Sequence, residues 1–204
     1  MKHDLDGLDI FKNALKELNI DIKSLIAKTA IWVNPIVVKM LREVEGNDFG
    51  CWWVNVKRND KSLKEERRRY LPTGDFTDDN NMPNDIIKKL TGLKVIPNTF
   101  RVCHIFDENR NTYSAKYFSS IPNLVLLPNP IFSLEEYDEI KAILKYKSFM
   151  LYQVKLSERI AKPKGYDALS WRNPMEMTEA IKKKVVNHIK ISNCIKVDPK
   201  SIRK

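Results

Sequence analysis

The sequence predicts an α+β protein, mainly helical, built around a hairpin-plus-helix core. Three observations carry that expectation. Apolar residues recur at helical spacing through the first 45 positions, two branched apolar segments near residues 102 and 124 can close a hairpin, and capping signals precede two later amphipathic runs.

Leu8, Phe11, Leu15 and Leu18 lie on one side of a first helix, and Ile22, Leu25 and Ile26 continue an apolar face. Asn34-Pro35 reads as an N-cap with proline in the first turn. Val38, Leu41 and Val44 then share a side, and Gly46 offers a stop. GCWWVNVKR, residues 50–58, has the aromatic and branched composition of a strand, with Trp52, Val54 and Val56 on one face. The charged stretch that follows, with Pro72, Gly74, Asp78 to Asn81 and Pro83, reads as a long surface loop. A helix around Asp85 to Leu90, stopped by Gly92, leads into the hairpin. After the second strand the turn at Pro128-Asn129-Pro130 precedes Ser133 and Glu136, which have capping-box spacing and predict a helix to about residue 152. Asn173, Pro174 and Glu176 give the same signal for a last helix carrying Met177, Ile181, Val185 and Ile189.

A chain of 204 residues supports one main core. The expected organisation is a main domain over 1–152, with a helical part at 1–46 and the hairpin core at 100–152, and a basic helical extension over 153–204. The content of 43% hydrophobic and 30% charged residues excludes a disordered or fibrous chain. No apolar run approaches the roughly 20 residues that span a bilayer. The start MKHDLDGLDIF has no apolar signal segment, so a cytoplasmic protein with no membrane partner is expected. Cys51, Cys103 and Cys194 are odd in number and widely spaced, which argues against a disulfide framework or zinc knuckle and for buried thiols.

The net charge of +10 fits a polyanion, and its distribution sharpens this. Residues 153–204 hold 13 Lys/Arg against 5 Asp/Glu, and residues 57–69 hold 7 against 3. Concentrated charge of this kind suits a phosphate-tracking surface, and DNA is the expected partner. Arg67, Arg68 and Arg69 can clamp phosphate through guanidinium forks, with Arg101 and Lys182, Lys183 and Lys184 as further contacts. The bland alternatives are a solvated loop for the arginines and the wet face of a helix for the lysines, the latter being favoured. Trp52, Trp53 and Trp171 can stack on bases, although core packing fits at least two of them better.

The run from Arg101 to Leu127 brings His104, at the end of one strand, toward Asn123, at the start of the next. A neutral imidazole is the side chain best matched to deprotonating water near neutral pH. CHIF at 103–106, then NLVLLPNP at 123–130 and a helix, resembles the HNH endonucleases, also called His-Me finger or ββα-metal nucleases. The resemblance covers roughly residues 100 to 152. It implies His104 as general base, Asn123 as its positioner, and one Mg²⁺ or Mn²⁺ on the scissile phosphate. Two positions depart from the family: Cys103 stands where it has Asp or His, and Phe132 where it has His or Asn. Asp107 and Asn129, with Glu108 nearby, are the oxygen donors that could hold the ion instead. His3 and His188 are set aside, one near a terminus and one in a basic helix.

The resulting expectation is a metal-dependent DNA endonuclease, with a bacterial restriction or defence role implied by family habit and a homodimer implied by double-strand cleavage. The rivals are a non-catalytic nucleic-acid-binding protein on a degenerate scaffold and an interaction or inhibitor module meeting an acidic protein.

Overall fold

A computed structural model describes residues 7–54, 56–58, 76–78, 81–93, 99–106 and 114–194. These residues form an α+β protein that is chiefly helical. Helices α1 (Gly7–Glu17), α2 (Ile22–Thr29) and α3 (Pro35–Arg42) come first, as the spacing predicts. Asp21 caps α2 by accepting from the N–H groups of Lys23 and Ser24 at 3.3 and 3.0 Å. Asn34 caps α3 through the Ile36 N–H at 3.0 Å, with Pro35 where a helix needs no N–H partner.

Strands β1 (Val56–Arg58) and β2 (Phe76–Asp78) pair in parallel, so part of the expected long loop is a strand. Only the end of the 50–58 segment is extended in a sheet. Trp52 N–H donates to the Ser119 carbonyl at 2.9 Å and the Ser119 hydroxyl donates to the Trp53 carbonyl, which commits residues 50–53 to an arch. Trp52 is therefore buried while Val54 is 55% exposed, instead of sharing one face. Helix α4 (Asn81–Thr91) begins earlier than expected, with Pro83 in its first turn, where the missing N–H costs nothing.

The hairpin forms as expected. β3 (Phe100–His104) and β4 (Leu124–Pro128) pair antiparallel, from Phe100 opposite Pro128 to His104 opposite Leu124. β4 is the hub of the molecule. Leu124 to Leu127 are all buried, and Ile31 bonds to Leu126 in both directions at 2.9 and 3.1 Å. That bridge seats the α2–α3 turn against the strand edge that β3 does not use. Between the strands, α5 (Ala115–Phe118) is a single turn.

Two helix starts differ from the sequence reading. Residues Asn129–Glu136 form a 3₁₀-helix, and α6 (Asp138–Tyr152) begins only after Tyr137. Ile131 and Leu134, three apart and both buried, match the 3₁₀ repeat and hold that geometry against the core. Near the C-terminus, residues 169–178 form no helix, and α7 (Glu179–Cys194) starts six residues later than Asn173. The segment lies along the N-terminal helices and spends its backbone groups there. Arg172 N–H donates to the Ala27 carbonyl at 3.0 Å, Met175 N–H to the Trp32 carbonyl at 2.9 Å, and the Asn34 amide to the Met175 carbonyl at 2.9 Å. Trp171 packs edge-on to Trp32 at 6.2 Å, and Ile181 and Val185 of α7 join the same hydrophobic cluster. No described helix is long and apolar enough to cross a membrane.

Candidate active site

His104 ends β3 and Asn123 immediately precedes β4, so the hairpin register alone makes them neighbours. Ile105 N–H donates to the Asn123 carbonyl at 2.9 Å, which extends the ladder one step past His104. Both side chains then turn to the same object, the end of α5. Asn123 Nδ2 donates to the Tyr117 carbonyl at 2.8 Å, and His104 Nε2 lies 3.2 Å from the Phe118 carbonyl. A helix end presents carbonyls without intrahelical partners, and these two residues satisfy consecutive ones.

Asn123 is fully buried, and its Oδ1 accepts from Phe106 N–H at 2.6 Å. Its carboxamide thus pins the backbone on both sides of the connection between the strands. The His104 ring is half-buried and lies nearly parallel to Phe118, 5.8 Å away centre to centre. A carbonyl oxygen only accepts, so in the neutral ring Nε2 carries the hydrogen and the lone pair is on Nδ1. The bond at Nε2 fixes the plane of the ring.

Cations gather near this end of the hairpin. Lys145 lies 5.6 Å from the centre of the Phe106 ring, and Lys116 lies 4.1 and 5.2 Å from the Phe49 and Tyr117 rings. Neither lysine stands out in the sequence, because Lys116 falls in the single turn of α5 and Lys145 in the middle of α6, both with ordinary spacing. The one signal available for Lys116 is its place just before Tyr117 and Phe118, in the connection that His104 and Asn123 both reach.

The metal ligands fare differently. Asp107, Glu108, Arg67, Arg68 and Arg69 fall outside the described residues. Asn129 lies at the far end of the hairpin from His104, where its N–H donates to the Thr99 carbonyl at 2.8 Å. Five strand positions separate the two levels, roughly 17 Å at the antiparallel rise, so one ion cannot serve both residues. Cys103 is buried, 2% exposed, and Phe132 lies beneath the Arg101 guanidinium at 5.0 Å, where a cation already sits. Among the described residues no three His, Cys, Asp or Glu side chains converge. Cys51 offers no nucleophile either, since burial pushes its thiol up to about 12.

Lys182, Lys183 and Lys184 are exposed on α7, and Arg101 is exposed on β3. His188, set aside on sequence, is the buried histidine of the fold. It is 8% exposed, stacked on Trp52 at 3.6 Å, edge-on to Trp53 at 4.3 Å, and bonded through Nε2 to the Trp52 carbonyl at 2.6 Å. The signal was present: Ile181, Val185 and His188 follow the i, i+4, i+7 stripe. Of the tryptophans offered for base stacking, Trp52 is core, and Trp53 and Trp171 pack against it.

Burial, chiefly, and the charge of Lys89 hold the His188 imidazole down to about 4, against the Trp52 bond, which acts the other way. The unfolded chain, with an ordinary histidine near 6.5, binds the proton first as pH falls. The stability that the neutral ring contributes is therefore complete above pH 6.5 and is lost toward pH 4, by about 3 kcal/mol at most. Urea denaturation of wild type and His188→Gln between pH 7.5 and 4.5 checks this. The variant is expected to show the shallower pH dependence, and equal slopes would disprove it.

No protein-family model, curated protein or solved structure matches the chain.

Proposed function

We propose that the chain is an HNH-like DNA endonuclease in which His104 is the general base of phosphodiester hydrolysis and Asn123 holds the connection it works beside. The observation that carries the reading is the pair of bonds to consecutive α5 carbonyls, Phe118 to the imidazole and Tyr117 to the carboxamide. The bond to the Phe118 carbonyl fixes the ring, so an imidazole acting on water there needs no reorganisation as the water attacks. Lys145 and Lys116 supply positive potential near the hairpin end, where a phosphate would lie. Dependence on Mg²⁺ or Mn²⁺ follows from the resemblance alone, and in this reading the oxygen donors are Asp107 and Glu108 rather than Asn129. Two-strand cutting by one site per chain would call for a two-fold dimer.

Cys103 under the sheet and Arg101 over Phe132 favour a second reading, a nucleic-acid-binding protein that has lost cleavage. One assay separates the two. Supercoiled plasmid incubated with the purified chain and Mg²⁺ or Mn²⁺ is expected to be nicked or linearised, with loss of cutting in EDTA. His104→Ala is expected to lower the rate by about 100-fold or more, the usual contribution of a positioned base, with the circular dichroism unchanged. Salt-sensitive retention of plasmid without any cut product, by wild type and variant alike, would replace the nuclease with the binder.

A further inference from the structure

The outward face of α7 has an unusual charge arrangement for a solvated helix. Ile181, Val185 and His188 turn inward. Lys183 and Lys190 come out near the middle of the opposite side, seven residues apart, which is about 10 Å along the axis. Lys182 and Lys184 flank them, and a shallow cleft of about 570 Å³ runs between Lys182, Lys183, Asn187 and Lys190. Helix α4 packs against α7 and carries the exposed Lys89, whose charge reaches His188 on the inward side.

A wet helix normally interleaves acids with its lysines at i, i+4. Here, among the described residues, Glu179 is taken by Lys182 at 3.8 Å and Asp85 by Lys88 at 4.0 Å. Lys89, Lys183, Lys184 and Lys190 form no ion pair among the described residues. Like charges collected on one ridge repel one another, and an external polyanion relieves that repulsion. The described α7 residues on this side carry no aromatic ring, so nothing there can stack on an unpaired base. They carry no arginine either, so the bidentate reading of guanine edges is missing. Lysine point charges suit phosphate oxygens of any sequence.

We propose that the outward ridge of α7, centred on Lys183 and Lys190, is a sequence-independent docking surface for the phosphate backbone of double-stranded DNA. This rests on the nucleic-acid reading above and assigns its non-specific contact to a surface apart from the hairpin. The ridge holds duplex by counterion release, so its contribution fades as salt rises.

The test is fluorescence anisotropy of the full chain with a labelled random-sequence duplex over a potassium chloride series. Lys183→Glu/Lys190→Glu is compared with Lys16→Glu/Lys28→Glu, which alters net charge equally on exposed sites of α1 and α2. The ridge variant is expected to bind at least tenfold more weakly at low salt, with a log-log salt slope shallower by about two, while the control stays close to wild type. Equal weakening of both double variants overturns the ridge in favour of diffuse charge. An unchanged ridge variant also overturns it and leaves DNA binding intact, because wild type still binds. A wild type that ignores duplex but binds polyglutamate defeats both this proposal and the nucleic-acid reading, and points to an acidic protein. The His104→Ala cleavage result is independent of all these arms.

Discussion

Replacing Asn123 by alanine is expected to cost about 4 kcal/mol of folding stability, since it strands a buried donor and a buried acceptor at once. The side chain has no solvent exposure, so no water replaces it at the Phe106 N–H or the Tyr117 carbonyl. Asn123→Asp is the sharper variant. It preserves shape and can still accept from Phe106, but it turns a carboxylate oxygen toward the Tyr117 carbonyl and buries a charge without a partner. Urea denaturation should show both variants losing several kcal/mol, the aspartate recovering partly as it is protonated at acid pH. A loss below about 1 kcal/mol in the alanine variant would mean that the carboxamide does not brace the strand connection, and the support for His104 would fall with it.

Trp32→Ala is expected to cost a similar 3 to 5 kcal/mol, the usual range for emptying a large aromatic site in a core. Trp32 is fully buried, edge-on to Tyr152 at 6.4 Å and to Trp171 at 6.2 Å, so its loss removes the aromatic packing between α6, the C-terminal segment and the α2–α3 turn. Its indole Nε1 is buried and has no hydrogen-bond partner among the described residues. That predicts an asymmetry: Trp32→Phe loses volume but also removes an unsatisfied donor, and should retain more than half of the stability that alanine forfeits. Thermal and urea denaturation of the two variants side by side measures it. Equal losses would show that the indole nitrogen carries no penalty.

What the sequence reveals of this fold divides according to where each segment's partners lie. Asn34-Pro35 was legible because cap and helix are adjacent, and the bond from Ile36 N–H closes within two residues. The hairpin was legible because its apolar runs are long enough to fix a register, and that register alone brings His104 and Asn123 together. Asn173-Pro174 misled because its local signal is a good helix start. The competing partners, the Ala27 and Trp32 carbonyls and the Asn34 amide, lie more than 130 residues away, where no local pattern reports them. Ser133 and Glu136 failed for a related reason, with Ile131 and Leu134 holding a tighter turn against the core. Asn129 stands near His104's partner strand in the sequence as an oxygen donor, but the register puts it at the opposite end of that strand. His188 was readable from the stripe of Ile181 and Val185, which turns it inward and away from the lysines around it.

The bonds that close the C-terminal segment onto the rest reach far back along the chain. The Asn34 amide meets Met175 across 141 positions, His188 meets Trp52 across 136, and the Tyr152 hydroxyl meets the Val33 carbonyl across 119. For a polypeptide made from its N-terminus, the α2–α3 turn emerges early and then waits, with its carbonyls wet and the Trp32 ring uncovered, for partners that are synthesised more than a hundred residues later. Loop closure over such separations is slow. Refolding from denaturant should therefore lag behind that of helical proteins of similar size, and a nascent chain stalled before residue 170 should offer chaperones a greasy surface that the finished protein hides.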